Sequence, residues 1–384
     1  MTHRIVVVGA GIAGLATAAA LQGRGHSVTV LEQRDDASPG AGISIWPNAL
    51  AALDRVGLGD AVRSAGGAIS AGALRWHDGS WLRHPSAERM VRALGEPLVV
   101  VRRAALRDIL AGALAPGTLR YGLTATAVVP TGDTVRVAFT GLETGALEAD
   151  AVVGADGTHS LVARMLNGPL ASRYAGYTAW RGVADFRLDP DVAGETLGAG
   201  LEVGHVPMGA DRTYWFATER LPEGHCCADG ELAYPMSRLA RWADPIPAIL
   251  AATRPQDVLR NDLYDRAPAR RWARGRVVIV GDAAHPMRPH LGQGGCQGIE
   301  DAAILAELLD CDPDPSSAFA RFEKFRRPRV RTVVRESRMI GQMLNLRPAL
   351  LSAAASRATV AIPEALVARH LAGIAAHSAF RLPV

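Results

Sequence analysis

Apolar positions along the chain cluster into two kinds of stretch. Arg4–Val8 is a short β-branched run of the type found in buried parallel strands, and Ser27–Leu31 repeats it. Between them, residues 12–21 are rich in Ala and Leu and predict a helix. Further strands are expected at 98–101, 134–140, 151–153 and 276–280, and helices at 104–113, 297–309 and 318–343. From about residue 171 to 271 the character changes. Trp180, Trp215 and Trp242 fall there, with Trp272 at its edge, and strand-like alternation appears at 213–217. His205-Val206-Pro207 and Arg212–Phe216 predict a pair of strands joined by a turn at 208–211. Alternation sets Tyr214 and Phe216 on one face and Trp215 on the other. After Arg347 the chain is Ala-rich and helical.

Composition narrows the class. The 384 residues suffice for two domains, and an apolar fraction of 48% is ordinary for a globular protein. Net charge is +4, and Lys324 is the only lysine. No basic stripe interleaves with aromatics, so a nucleic-acid groove is not expected. The dense basic segment 326–331 reads as a solvated or domain-bridging helix face. Cys226, Cys227, Cys296 and Cys311 offer no CxxC, and His285 and His290 are poorly spaced as ligands. A reduced cytoplasmic protein with no metal is expected. No run is apolar and long enough for a bilayer, and no membrane partner is expected. Glycines interrupt the first apolar region and a strand follows it, which argues against a secretory signal.

Three segments carry the chemistry. Gly9-Ala10-Gly11-Ile12-Ala13-Gly14 joins the first strand to the first helix. Gly9 permits the tight turn, Gly11 lets a pyrophosphate approach, and Gly14 lets helix and strand pack closely. The helix start offers free N–H groups to phosphate. Glu32 ends the second strand, where its carboxylate can accept ribose hydroxyls, and Arg34 stands beside the adenine end. Asp156-Gly157-Thr158-His159-Ser160 follows a buried strand, with Ser160 as helix cap and Arg164 on the helix. Gly281-Asp282 ends another strand, placing a carboxylate where ligands bind in open α/β sheets. Pro289 to Gly295, dominated by Gly292, Gly294 and Gly295, then opens a helix whose amides can face developing negative charge.

These motifs resemble the single-component FAD-dependent aromatic hydroxylases, the para-hydroxybenzoate hydroxylase-like group. The likeness is greatest to its salicylate hydroxylase, urate hydroxylase and zeaxanthin epoxidase branch. It spans roughly 4–343 and includes Gly42-Ile43-Ser44-Ile45-Trp46-Pro47-Asn48-Ala49-Leu50, Arg103 in Arg-x-x-Leu, and Tyr177-Thr178-Ala179-Trp180-Arg181-Gly182. The resemblance implies an α/β fold: a Rossmann-like FAD-binding domain (1–70, 100–170, 271–345), an inserted, mostly antiparallel β-sheet substrate domain (71–99, 171–270) and C-terminal helices (346–384). Glu32 would hold the adenosine ribose, and Arg103 the diphosphate or ribityl region. Asp156 would lie near the pyrophosphate and Asp282 at the ribityl chain. Pro289 would border the oxygen pocket, with Leu291 and Gly292 amides at the flavin edge. Cys296 departs from the Asn often found there.

The implied activity is a monooxygenase using NADH or NADPH and O₂ to hydroxylate a small aromatic substrate through a flavin C4a-hydroperoxide, as a monomer or homodimer. One dinucleotide fold implies that NAD(P)H binds only transiently. An epoxidase or non-oxygenating dehydrogenase is the alternative. A flavin-free binding module of this fold is disfavoured by Glu32 and Gly281-Asp282. For the substrate pocket the candidates are Tyr214, His205 and Arg181. Tyr214 or His205 can orient or deprotonate a phenol, and Arg181 can pair with an acidic group.

Overall fold

Two large sheets flank the site, and a small three-stranded sheet links them: Gly42 on its edge lies against the Tyr214 ring of the larger one. The computed structural model describes residues 2–34, 42–69 and 72–383; the domain boundary expected at 70–71 lies outside them. The first sheet has six strands in the order Ala273–Arg274, Val277–Ile279, Ala151–Gly154, Arg4–Val8, Ser27–Leu31 and Leu119–Arg120. Its inner strands are parallel, with Ile5 opposite Ala151 on one side and Val28 on the other. They are buried on both faces, which explains their unbroken β-branched composition. The Ile12–Gln22 helix packs on the Gly294–Cys311 helix, and small residues allow the approach: a Cβ on Gly281 or Gly298 would lie 2.6 or 2.9 Å from the Ala13 Cβ.

The second sheet has seven strands. In order they are Leu259–Arg266, Ser172–Ala184, Thr213–Glu219, Leu201–Pro207, Gly194–Gly198, Ala73–Trp76 and Trp81–Arg83. All neighbours are antiparallel except Gly194–Gly198 against Ala73–Trp76. Smaller three-stranded sheets are built on Leu98–Arg102 and on Thr134–Gly141.

The 30-residue Pro315–Leu344 helix spans both sheets, and the helices Ala349–Ala358 and Glu364–Ala375 follow it. Among the described residues no single helix is long and apolar enough to cross a membrane.

The segment 326–331 is not a solvated face throughout. Arg326 is buried, donating to Glu300 at 2.5 Å and Asp301 at 2.8 Å, and Arg329 reaches Glu300 at 2.7 Å. A buried guanidinium is tolerable only when paired, and here two carboxylates of the neighbouring helix pair it.

Candidate active site

Two helices start at one cleft without a side-chain cap. The Ile12–Gln22 helix begins at Gly11 and the Gly294–Cys311 helix at Gln293, and neither start carries a side-chain hydrogen bond. By contrast Ser160 caps its helix by accepting from the Ala163 amide. Uncapped first-turn amides are an anion site, reinforced by the helix dipole. Gly9 takes φ +101°, and a Cβ there would lie 2.6 Å from the Ala155 carbonyl oxygen. A Cβ on Gly14 would lie 2.0 Å from the Gly9 carbonyl oxygen, whereas beside Gly11 there is open space. The geometry has room for a pyrophosphate at Gly11 and for nothing larger than hydrogen at Gly14.

Glu32 faces this turn. It accepts from the Ala10 amide at 2.7 Å and the Arg34 amide at 3.0 Å, while the Arg34 side chain is exposed. At the other end of the cleft Asp282 is exposed between buried neighbours. Its turn is clamped from below. The Gly281 amide donates to Asp301 at 2.9 Å, and Arg266 donates to the carbonyls of Asp282 and Ala283. Asp301 also lies 2.6 Å from His285, and against burial, which opposes its ionisation, the neighbouring His285 and Arg326 hold its carboxyl down at about 2. Burial holds the Arg103 guanidinium below the ordinary arginine value, and Asp282 is the largest opposing influence.

Asp156 is held at both ends of its residue. Its backbone lies beside Gly9, but its carboxylate turns inward, accepting from Ser160 and from the Leu161 amide at 2.7 Å. It organises the start of the Leu161–Asn167 helix.

The glycine-rich turn brackets the cleft from the far side. Pro289–Leu291 forms a 3₁₀ turn, Gly292 takes φ +60°, and a Cβ on Gly295 would lie 2.9 Å from Ile43. Leu291 is half-buried and Gly292 exposed. Cys296 is satisfied where it stands: it contacts the carbonyls of Ser44 and Gly292, and burial pushes its thiol up to about 12.

One face of the seven-stranded sheet turns toward this cleft. A Cβ on Gly42 would lie 2.7 Å from the Tyr214 ring, and Arg181 and Arg103 both bear electrostatically on the Tyr214 phenol. Burial is the larger influence and raises that phenol. Arg181 pairs across the strands with Phe216, and its guanidinium donates to Asn261 at 2.9 Å. His205 is separated from this group. It pairs across the strands with Trp215, so the two point to the opposite face from Tyr214. There it is fully buried and contacts Thr196 at 3.1 Å; burial pulls it down to about 4.

Four residues on and against this face were not singled out as site residues from the sequence. Glu202 accepts from Thr218 at 3.1 Å and lies 3.3 Å from His290 Nδ1, while His290 Nε2 meets the Tyr177 hydroxyl at 2.9 Å. Glu195 pairs with Gly204, two residues from Glu202 on the same face, and burial beside that carboxylate pushes it up to about 8. The available signal was slight: His290 adjoins Pro289, and Tyr177 opens a quoted motif. A separate cavity of about 760 Å³ is lined by Arg173, Arg266, Arg270, Arg288 and Arg338, beside Asn167.

Comparison with known proteins agrees with this geometry. The FAD binding domain family model matches residues 2–337. An aurachin C monooxygenase/isomerase of Stigmatella aurantiaca is 37% identical, over 88% of this chain and 89% of its own. A 3-amino-4-hydroxybenzoate 2-monooxygenase of Streptomyces cremeus is 35% identical, over 89% and 88%. The structure of Klebsiella pneumoniae HpxO complexed with FAD and uric acid superposes with a TM-score of 0.90 at 29% identity, covering 97% of this chain and 96% of that one. Uncapped helix starts, an acidic strand end and a polar sheet face thus converge in a member of the FAD-binding-domain family, and the chain is an FAD-dependent monooxygenase.

Proposed function

We propose that the chain uses NADH or NADPH and O₂ to hydroxylate a small aromatic molecule. Its binding place is between FAD and the polar face of the seven-stranded sheet. The observation that carries this is the convergence of two uncapped helices, Asp282 and the Tyr214 face on one cleft. When bound, FAD accepts two electrons from the nicotinamide and supplies the oxygen-activating centre.

The chain's residues hold and orient. Gly9, Gly11, Ala13 and Gly14 form the pyrophosphate turn, with Glu32 and Arg34 at the adenosine end. Arg103 and Asp282 take the diphosphate and ribityl region. Amides of Leu291, Gly292, Gly294 and Gly295 face the flavin edge, and Pro289 borders the oxygen pocket. This divides the chain into a cofactor part (1–70, 100–170, 271–345) and a substrate part (71–99, 171–270). Tyr214 and Arg181 orient the substrate. Glu195 has no hydrogen-bond partner among the described residues and keeps its proton up to about pH 8, so it is free to donate a hydrogen bond to a substrate oxygen. Arg173 and Arg270, both exposed in the arginine-lined cavity, suit the phosphates of a transient NAD(P)H.

The test is to add FAD to the apoprotein and then follow NAD(P)H consumption, peroxide release and product over a panel of phenols and aminophenols. Retained yellow colour with substrate-stimulated, coupled turnover supports the reading. A protein that stays colourless, or that yields peroxide alone with every compound, defeats it.

A further inference from the structure

The C-terminal helices carry an outward face that the catalytic site does not use. Leu350, Leu351 and Leu366 are 76%, 51% and 52% exposed, and Val360 and Ile362 at the bend between the helices are also exposed. Single exposed apolar side chains are ordinary, but five between residues 350 and 366 are a local concentration of them. The two helices together are long and apolar enough for a membrane segment, yet bend by 101° between Ala349–Ala361 and Glu364–Ala375. Such a bend suits a pair lying on a surface better than one crossing it.

Charge selects the partner. From residue 331 to the end there are seven arginines and only two acidic residues, Glu336 and Glu364. That surplus exceeds the +4 of the whole chain, so the remainder is slightly acidic. Both acids are engaged, Glu364 by Arg89 and Glu336 by His370. Arg347 and Arg369 are exposed and have no ion-pair partner among the described residues. An aromatic residue stands nearby. Arg83 donates to the Ile362 carbonyl at 2.9 Å, and Trp81, two residues earlier on the same strand, is exposed. Leucines beside unpaired arginines, with a tryptophan at the margin, are the composition of an interfacial anchor. A second copy of the chain would meet this face with the same arginines, and like charges would oppose it.

We infer that the outward face of Ala349–Ala358 and Glu364–Ala375 docks the enzyme on an anionic phospholipid surface. The leucines enter the headgroup boundary, and Arg347 and Arg369 meet the lipid phosphates.

The FAD-loaded full chain is floated with phosphatidylcholine vesicles, with or without about 30% phosphatidylglycerol. Flotation is expected on the anionic vesicles only, weakening as salt rises. Leu350→Gln with Leu351→Gln and Leu366→Gln should lower partitioning about tenfold or more. Arg347→Gln with Arg369→Gln should remove the preference for anionic lipid. Both variants should retain FAD and their NAD(P)H oxidation rate in detergent-free buffer. Absence of wild-type flotation overturns the inference, as does flotation of the leucine variant at the wild-type level. Light scattering that finds a dimer broken by the leucine changes, with no vesicle binding, assigns the face to a second copy instead.

Discussion

Glu202 and His290 meet at 3.3 Å, one on the Leu201–Pro207 strand and the other on the glycine-rich turn. The long helix leaves space for the imidazole at Gly341, where a Cβ would lie 2.6 Å from His290 Nε2. One ring therefore ties the sheet, the turn and the helix together. His290→Phe keeps an aromatic ring and removes both polar contacts. It should cost about 1–3 kcal/mol of stability and raise the peroxide formed per NAD(P)H consumed. Wild-type stability together with wild-type coupling would show that the link is idle.

Tyr214 and His205 should behave differently, since they face opposite sides of one sheet. Tyr214→Phe is expected to lower product formation by about 10²-fold while leaving FAD bound. His205→Gln should alter stability and leave coupled turnover near wild type. Steady-state kinetics with an identified substrate decide it; the reverse pattern would return His205 to the pocket.

Arg326→Met should destabilise by about 3–5 kcal/mol, because Glu300 and Asp301 would remain charged in a buried site. Urea unfolding measures the loss, and adding Glu300→Gln should recover part of it. Asp301 also sets an acid limb. Its folded pKa, about 2, lies below the ordinary 3.8, so the stability it contributes is present above 3.8 and lost as pH falls toward 2. Asp301→Asn should flatten that window. An unchanged acid limb would place the acid sensitivity elsewhere.

Glu195 gives the opposite sign. Its folded pKa, about 8, lies above the ordinary 4.5, so between these values the folded state holds the extra proton. Its contribution is complete below pH 4.5 and declines as pH rises through 8. Relative to wild type, Glu195→Gln should gain stability from pH 5 to pH 9. Parallel melting-temperature profiles for the two proteins would contradict a strained carboxylate at this position.

The cofactor half was legible because its signals are local. A strand, a glycine turn and a helix in succession require one backbone path, and Gly9, Gly11 and Gly14 occupy the positions that path demands. Asp282 was legible for the same reason, standing at the end of a buried apolar strand. Asp156 stands at a strand end beside Gly9, and its carboxylate accepts from nearby amides with which it forms a local cap. Local hydrogen bonds of that kind compete with any ligand, and strand-end position does not reveal the winner.

The substrate face depended on register. Within one strand, alternation correctly separated Tyr214 from Trp215. The relation between two strands turns on the length of the loop joining them. A turn at 208–211 would set His205 opposite Tyr214; in the structure Pro207 pairs with Thr213, Arg212 belongs to the turn, and His205 falls opposite Trp215. One residue of slip reverses every side chain. Glu195, Glu202, His290 and Tyr177 come from three separated stretches, and their meeting depends on sheet pairing and on the packing of the turn against it. The sequence by itself determined the elements, the glycine turn and the acidic strand ends, since each follows from neighbouring residues. Tertiary structure alone decided which polar side chains share the pocket and that Arg326 is buried, because pairing register and helix packing are set by contacts between residues far apart in the chain.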